Sequence, residues 1–333
     1  MTWHVILPYL RPIEPLILDE TISDILVNGS TGVFIEQHGQ LREVPDVTIP
    51  ENSLQVAVRN IARVLGDEIS EEKPLLDARL PDGSRVAAVF PPCSVTGTTL
   101  AIRKFHSKLY TAQELVRTET LPQRALDTLR EAIERRQNIL ISGGTGTGKT
   151  TLLTALGAFL PAEDRVVVIE DTSEIQLAQR NLVRLEARRD QPNLPAVTIR
   201  DLLRATLRLR PDRIVLGEVR GGEALDLLQA LNTGHAGTLC TIHANSAREA
   251  LSRFTTCVLL SGVELPYKAV RTNIAEALHI TVHLERRQGR RLVSEVLRVQ
   301  HYDPIKDSYE FETLFGTRAN NQPDQSHPTS LDR

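Results

Sequence analysis

Hydrophobic positions change their spacing part-way along the chain. Ile25-Leu26-Val27 and Val33-Phe34-Ile35 are short apolar runs separated by Asn28-Gly29-Ser30-Thr31-Gly32, a turn-forming stretch that predicts a β-hairpin. Over 53–65 the period lengthens: Leu54, Val58, Ile61 and Leu65 share one helical face, with Ser53 as candidate cap and Gly66 as stop. Strand-like runs resume at 84–90 and 98–103, broken by Pro91-Pro92. Residues 1–108 therefore read as a small α+β domain built on a sheet.

The apolar pattern weakens around 106–120, and 109–120 reads as a linker. A helix is predicted over 121–136, with Leu121, Ala125, Leu126, Leu129 and Ile133 on its apolar side. Beyond it, apolar runs (Ile139-Leu140-Ile141, Val166 to Ile169, Ile214-Val215-Leu216 and Leu239 to Ile242) alternate with helix-length segments. That alternation predicts a mainly parallel sheet covered by helices, an α/β domain over 121–317. Residues 318–333 are polar and nearly free of large apolar side chains, so a disordered tail is expected. No internal repeat is present.

Composition narrows the picture modestly. A chain of 333 residues with 41% apolar and 24% charged positions is an ordinary globular composition with room for two domains. The net charge of −3 exerts no global pull toward nucleic acid or anionic membrane. Arginine outnumbers lysine 33 to six, which favours forked contacts to phosphates and carboxylates, although a GC-rich genome has the same effect. Cys93, Cys240 and Cys257 are scattered, which excludes a four-cysteine zinc site and fits a reducing compartment. The N-terminus has neither a basic start nor a small-residue cleavage site, so no signal peptide is expected. No run approaches the ~20 apolar residues that span a bilayer.

The strongest chemical signal is GGTGTGKT, comprising Gly143, Gly144, Thr145, Gly146, Thr147, Gly148, Lys149 and Thr150, followed by Thr151. It fits the Walker A pattern in full and sits between a predicted strand and a predicted helix. Glycines let backbone N–H groups curl around phosphate oxygens, and the helix N-terminus adds partial positive charge. Lys149 would reach the β/γ-phosphates, and the Thr150 hydroxyl would ligate magnesium. The implied ligands are ATP and Mg2+.

A P-loop also needs acids. Glu170 and Glu218 each end a buried apolar run, where ligands bind in open α/β sheets. Glu170 is a candidate to polarise the attacking water, and Glu218 to hold the magnesium through its water shell. Gly217 before a lone Glu218 departs from the generic second Walker motif, which ends in Asp or Asp-Glu. In GHAGTLCTIHAN, His235 and His243 lie eight apart across a strand-like segment and are expected on one face. No cysteine or acid accompanies them at metal-ligand spacing; γ-phosphate sensing and a structural role both stay open.

GGTGTGKT, VVVIEDTSE, RIVLGEVRG and GHAGTLCTIHAN occur in the order of the Walker A, acidic box, second Walker and histidine box of the type II/IV secretion ATPase superfamily, which the chain resembles. In that superfamily Glu218 after Gly217 is expected. ISDILVNG, DARLPDGSRVAAVFPP and LAIRKF look like the CpaF/TadA group of Flp-type (tight-adherence) pili, with conjugation-type TrbB ATPases close by. The resemblance runs from about Leu18 to about Gly316. It implies an N-terminal sheet domain joined to a RecA-like P-loop ATPase domain, with nucleotide between the two. It also implies a homo-oligomer, a hexameric ring, that is cytoplasmic and peripheral at the inner membrane. Its partner would be a secretion or pilus platform protein, with no direct contact to nucleic acid. By position, Glu170 becomes the catalytic carboxylate, Glu218 the second Walker acid, and His235 and His243 histidine-box members. Arg103 in AIRKF and Arg85 in GSRV match arginines that approach the phosphates in type IV relatives. Arg208 and Arg220 are further candidates.

Two absences point toward the CpaF group: no zinc module of the type found in type II secretion and pilus-extension ATPases, and no AIRA-type segment as in retraction ATPases. Rival readings are a RecA-like motor that moves nucleic acid, including a conjugative DNA-transfer ATPase, and a degenerate ring scaffold. Near-neutral charge and the lack of an aromatic-rich basic groove weigh against the first. Intact Lys149, Thr150, Glu170 and Glu218 weigh against the second.

Overall fold

The computed structural model describes residues 6–316, apart from 30, 31, 38, 81, 106–108, 189 and 191–193. The expected tail at 318–333, and Ser30 and Thr31 of the expected turn, lie outside the described residues. After turns at Leu7–Tyr9 and Arg11–Ile13 and a short helix α1 (Glu14–Leu18), the first half runs β1 (Ile22–Asn28), β2 (Val33–Gln37), β3 (Gln40–Val44), α2 (Glu51–Val64), β4 (Leu75–Arg79), β5 (Arg85–Val89) and β6 (Thr99–Arg103). The strands form one antiparallel sheet of order β3-β2-β1-β6-β5-β4. The expected hairpin is β1–β2, with Val27 opposite Val33. Helix α2 buries Leu54, Ala57, Val58 and Ile61 against the sheet, as its period requires. It starts after Pro50, earlier than Ser53 suggested. Glu51 explains the shift: its carboxylate accepts from the Thr98 backbone N–H (3.0 and 3.1 Å) and hydroxyl (2.6 Å), tying the first helical turn to the entry of β6.

The segment expected as a linker contains α3 (Ala112–Arg117), held by a capping box. The Thr111 hydroxyl accepts from Glu114 N (3.1 Å) and Glu114 Oε2 accepts from Thr111 N (2.8 Å). Ala112 and Leu115 pack with the second half of the chain, not the first.

That half comprises α4 (Gln123–Glu134), β7 (Ile139–Gly143), α5 (Lys149–Gly157), β8 (Val166–Glu170), β9 (Leu182–Glu186), α6 (Ile199–Thr206), β10 (Arg213–Val219), α7 (Glu223–Asn232), β11 (Leu239–Ile242), α8 (Ala247–Leu259), α9 (Tyr267–Ala277), β12 (Ile280–Arg287), β13 (Arg290–Asp303) and β14 (Ser308–Gly316). One sheet has order β14-β13-β12-β7-β11-β10-β8-β9. From β9 to β12 it is parallel, and β7, β8 and β11 are buried along their whole length because helices cover both faces. One apolar core lies under α6 to α9 and the other under α3 to α5. The parallel part was legible from the alternating runs. The antiparallel extension β12–β13–β14 was not, because Arg286-Arg287 and Arg290-Arg291 mask its tip as a charged loop.

Candidate functional site

Strands β7, β11, β10 and β8 are consecutive neighbours, and their C-terminal ends bring four motifs into one row. Gly143 closes β7 with φ +156°, and a Cβ there would stand 2.5 Å from Leu284 O and 2.6 Å from Thr147 Oγ1. Only glycine lets the chain turn that close to β12. Gly148, at φ +96°, then starts α5. Lys149 is buried and folded back on its own loop, donating to Gly143 O (3.0 Å) and Gly144 O (2.9 Å). Burial lowers its pKa; the Glu218 charge opposes that, and the charges of Arg220 and Arg103 add to it. The Thr147 hydroxyl also bonds Gly144 O (2.9 Å), while Thr150 and Thr151 begin the helix, partly exposed. Thr145 and Gly146 form the loop crest between them, Gly146 at φ +71°.

Glu170, the last residue of β8, is turned inward and is 3% exposed. Desolvation raises its pKa to about 7, even though Oε1 accepts from Glu174 N (2.8 Å) and Ile175 N (2.9 Å), which favours the ion. The β10–β11 register shifts between Leu216 and Val219, a bulge that falls on Gly217 and Glu218. Thr241 Oγ1 pins it by donating to Gly217 O (2.5 Å). A Cβ on Gly217 would lie 3.1 Å from Glu170 Cγ, so the glycine gives the neighbouring acid its room.

Glu218 faces His243, which follows β11. His243 Nε2 is 2.8 Å from Glu218 Oε1, and His243 Nδ1 is 3.4 Å from Lys149 Nζ. An ammonium only donates, so Nδ1 accepts and the ring proton sits on Nε2. Burial and the Lys149 charge lower the His243 pKa, and the Glu218 charge opposes them. The contact to Glu218 is an electrostatic approach, not a formed hydrogen bond: among the described residues, buried Oε1 has no hydrogen-bond partner. Arg220 Nη2 donates to Glu218 Oε2 at 2.9 Å.

The N-terminal sheet supplies further cations. Its register sets Arg79 opposite Arg85, Arg85 opposite Arg103, and Arg103 opposite Asp24. Directly paired residues share a sheet face, so three arginines form a stripe. Arg79 pairs with Glu186 and donates to Ser173 O (2.8 Å), Arg85 Nη2 lies 3.4 Å from Asp171 Oδ2, and Arg103 Nε lies 4.0 Å from Asp24 Oδ1. The stripe thus meets the loop that follows β8.

Lys149, Glu170, Glu218, Arg220, His243, Arg85 and Arg103 therefore gather around the P-loop. His235 and Arg208 do not. The two histidines stand at opposite ends of β11. His235 precedes β11 at the N-terminal end of the sheet, where its Nδ1 lies 3.2 Å from Ala230 O, and His243 follows the other end. Arg208 lies just after α6 and before β10, likewise at the N-terminal end. Sequence reading noted Asp171 beside Glu170 but gave it no role as the common partner of Arg85 and Arg220, and it missed Arg79, which the sheet register aligns with the two expected arginines. It also missed Arg291, whose Cδ lies 3.6 Å from an ideal Cβ on Gly148.

A family model described as "Type II/IV secretion system protein" matches residues 9–291. The chain belongs to this family. Among its relatives, the conjugal transfer protein TrbB of Rhizobium radiobacter is 37% identical over 288 residues, covering 85% of each chain. The type IV secretion system protein PtlH of Bordetella pertussis is 34% identical over 322 residues, covering 89% of this chain and 95% of PtlH. The X-ray structure of the Legionella pneumophila ATPase DotB superposes with a TM-score of 0.62 at 21% identity, over 87% of this chain and 80% of that one. The fold is thus that of a type II/IV secretion ATPase: an N-terminal sheet domain followed by a RecA-like P-loop domain.

Proposed function

We propose that this chain is an ATP-hydrolysing motor subunit of a type IV secretion or conjugation machine, with ATP held between the P-loop and the arginine stripe of the N-terminal sheet. One observation carries the reading: Lys149, His243, Glu218 and Glu170 stand at the ends of four adjacent strands, facing the arginines. Lys149 and the loop N–H groups bind the β- and γ-phosphates. Thr150 and Glu218 fit magnesium, Glu218 through water, because its buried Oε1 has no hydrogen-bond partner among the described residues. Bound there, magnesium would neutralise phosphate charge. Glu170 accepts the proton of the attacking water. Arg103, Arg85 and Arg220 meet the charge that develops on the transferring group; one such arginine is worth about 10³–10⁵ in rate. His243, between Lys149 and Glu218, senses whether the γ-phosphate is present. His235 and Arg208 have no part in this subunit's site.

The names of the relatives, conjugal transfer protein and type IV secretion protein, support that kind of machine ahead of the Flp pilus suggested by the motifs. Subunits form a hexameric ring at the cytoplasmic side of the inner membrane and swing their domains in turn against a platform protein. No helix among the described residues is long and apolar enough to cross a membrane. The test is phosphate release with magnesium and ATP at several protein concentrations, beside native mass. A rate per subunit that rises as a six-subunit species forms supports the ring motor. A concentration-independent rate in a persistent monomer removes it. Lys149→Ala is expected to abolish turnover, and near-normal turnover would sink the site.

A further inference from the structure

Glu170 and Asp171 are adjacent but point different ways. Glu170 is buried, whereas the Asp171 side chain is about a third exposed, at 34%. A single oxygen, Asp171 Oδ2, lies 3.4 Å from Arg85 Nη2 and 3.3 Å from Arg220 Nη1. Arg85 comes from the N-terminal sheet and Arg220 from the P-loop domain, so this carboxylate bridges both halves of the chain. We propose that Asp171 is a tether that holds Arg85 and Arg220 off the phosphates until nucleotide displaces it. The idea rests on the ATP-site reading above and deepens it by naming how the site is kept ready.

The contacts have the strength such a tether needs. Ordinary charge-assisted bonds are about 2.7–2.9 Å long, and both of these are longer. Their partners are part-exposed, so solvent screens them and each contributes little. Arg220 is better anchored on its other side, at 2.9 Å to Glu218 Oε2. A phosphate group offers two forked, fully charged acceptors and outcompetes one shared oxygen. Without nucleotide, Lys149, Arg85, Arg103 and Arg220 would repel one another across the cleft, and Asp171 offsets that repulsion. With nucleotide, the same charge repels the phosphates, so the arginines leave it. Because Arg85 belongs to β5, its transfer draws the N-terminal sheet toward the nucleotide. Occupancy of the P-loop is thereby converted into a change of contact between domains, the differential interaction that a conformational shift requires.

Affinity for Mg·ADP, measured by titration calorimetry on the full chain, tests this without relying on turnover. Asp171→Asn is expected to bind at least about threefold more tightly than wild type, a coupling typical of residues in one contact network. The gain should disappear when Asp171→Asn is combined with Arg85→Ala and Arg220→Ala, compared with that pair alone. Asp171→Glu, which keeps the tether, should bind as wild type does. An unchanged or weaker affinity in Asp171→Asn overturns the proposal. So does an equal gain in the arginine-free background, since that is only the loss of a negative charge. Should Asp171→Asn not fold, as judged by its thermal transition, Asp171→Ser takes its place in the same cycle. A wild type that does not bind Mg·ADP at all would instead remove the ATP-site reading on which the tether depends.

Discussion

A carboxyl group held near neutral pH has two consequences that can be measured separately. Glu170 titrates at about 7 instead of 4.5 because burial penalises its ion. As the proposed base it must be ionised, so kcat/KM for ATP is expected to rise with pH through about 7 and level off above it. Glu170→Gln should lose about 10²–10⁴ in turnover and with it that pH step. The stability sign runs the other way. A folded pKa above the unfolded one means the native state binds the extra proton, so stability falls as pH rises from 4.5 to about 7. Glutamine mimics the protonated form and escapes this loss. At pH 8 the variant should be more stable by on the order of 3 kcal/mol, an advantage that fades below pH 4.5, as thermal unfolding would show. Gly217 is the matching steric case. Gly217→Ala puts a methyl group 3.1 Å from Glu170 Cγ, so it should lower turnover while leaving Mg·ADP affinity near wild type. Parallel losses of both would mean the bulge itself had collapsed.

At the scale of elements, what aligns the row is the register of β7 with β11 and β12, and one buried side chain sets much of it. Asn138 is 2% exposed and precedes β7. Its Oδ1 accepts from Gly237 N (2.7 Å) and Thr238 N (2.9 Å), just before β11, and its Nδ2 donates to Ala277 O (2.7 Å) at the end of α9. Asn138→Ala strands three buried groups at about 1–3 kcal/mol each, so a loss of at least about 3 kcal/mol is expected in urea unfolding. A loss below about 1 kcal/mol would show that water takes over the bonds. This locates what the sequence discloses and what it hides. Runs such as Val166 to Ile169 announce buried parallel strands by themselves, and Gly143 to Thr150 carries its loop chemistry in its residue types. The capping box Thr111-Ala112-Gln113-Glu114 was readable too, but weak apolar periodicity around it made the segment look like a linker. No local pattern shows which end of β11 lies beside the P-loop. That depends on strand direction in the sheet, and it is why His243 reaches Lys149 while His235 does not. The role of Asp171 was hidden for a similar reason: its arginine partners stand 86 and 49 residues away in sequence.

For the whole molecule, the decisive quantity is how firmly the two halves hold each other. The N-terminal core is drawn from residues up to Ile102, and the other two cores from Ala112 onward. Between them run polar links: Arg79 to Glu186 and Ser173 O, Arg85 to Asp171, and Arg286 Nη1 to Glu36 Oε1 at 4.0 Å. All of these ion-pair partners are partly exposed, and exposed pairs contribute roughly 0–1 kcal/mol each. A junction of this kind suits the proposed motor, because weak, part-exposed ion pairs can be remade by nucleotide binding at little cost. It should also be sensitive to salt. Raising ionic strength from 0.1 M to 1 M shortens the screening length from about 10 Å to about 3 Å. In the absence of nucleotide, hydrogen exchange in the loop after β8, where Ser173 accepts from Arg79, is then expected to quicken, while exchange in β7, β8 and β11 stays slow. Arg79→Ala should reproduce that quickening at low salt, and adding Mg·ADP should reverse it if phosphates recruit Arg85 and Arg103. Exchange in that loop that responds to neither salt nor Arg79→Ala would mean that the halves are held by contacts other than these ion pairs, and the swing would need a different hinge.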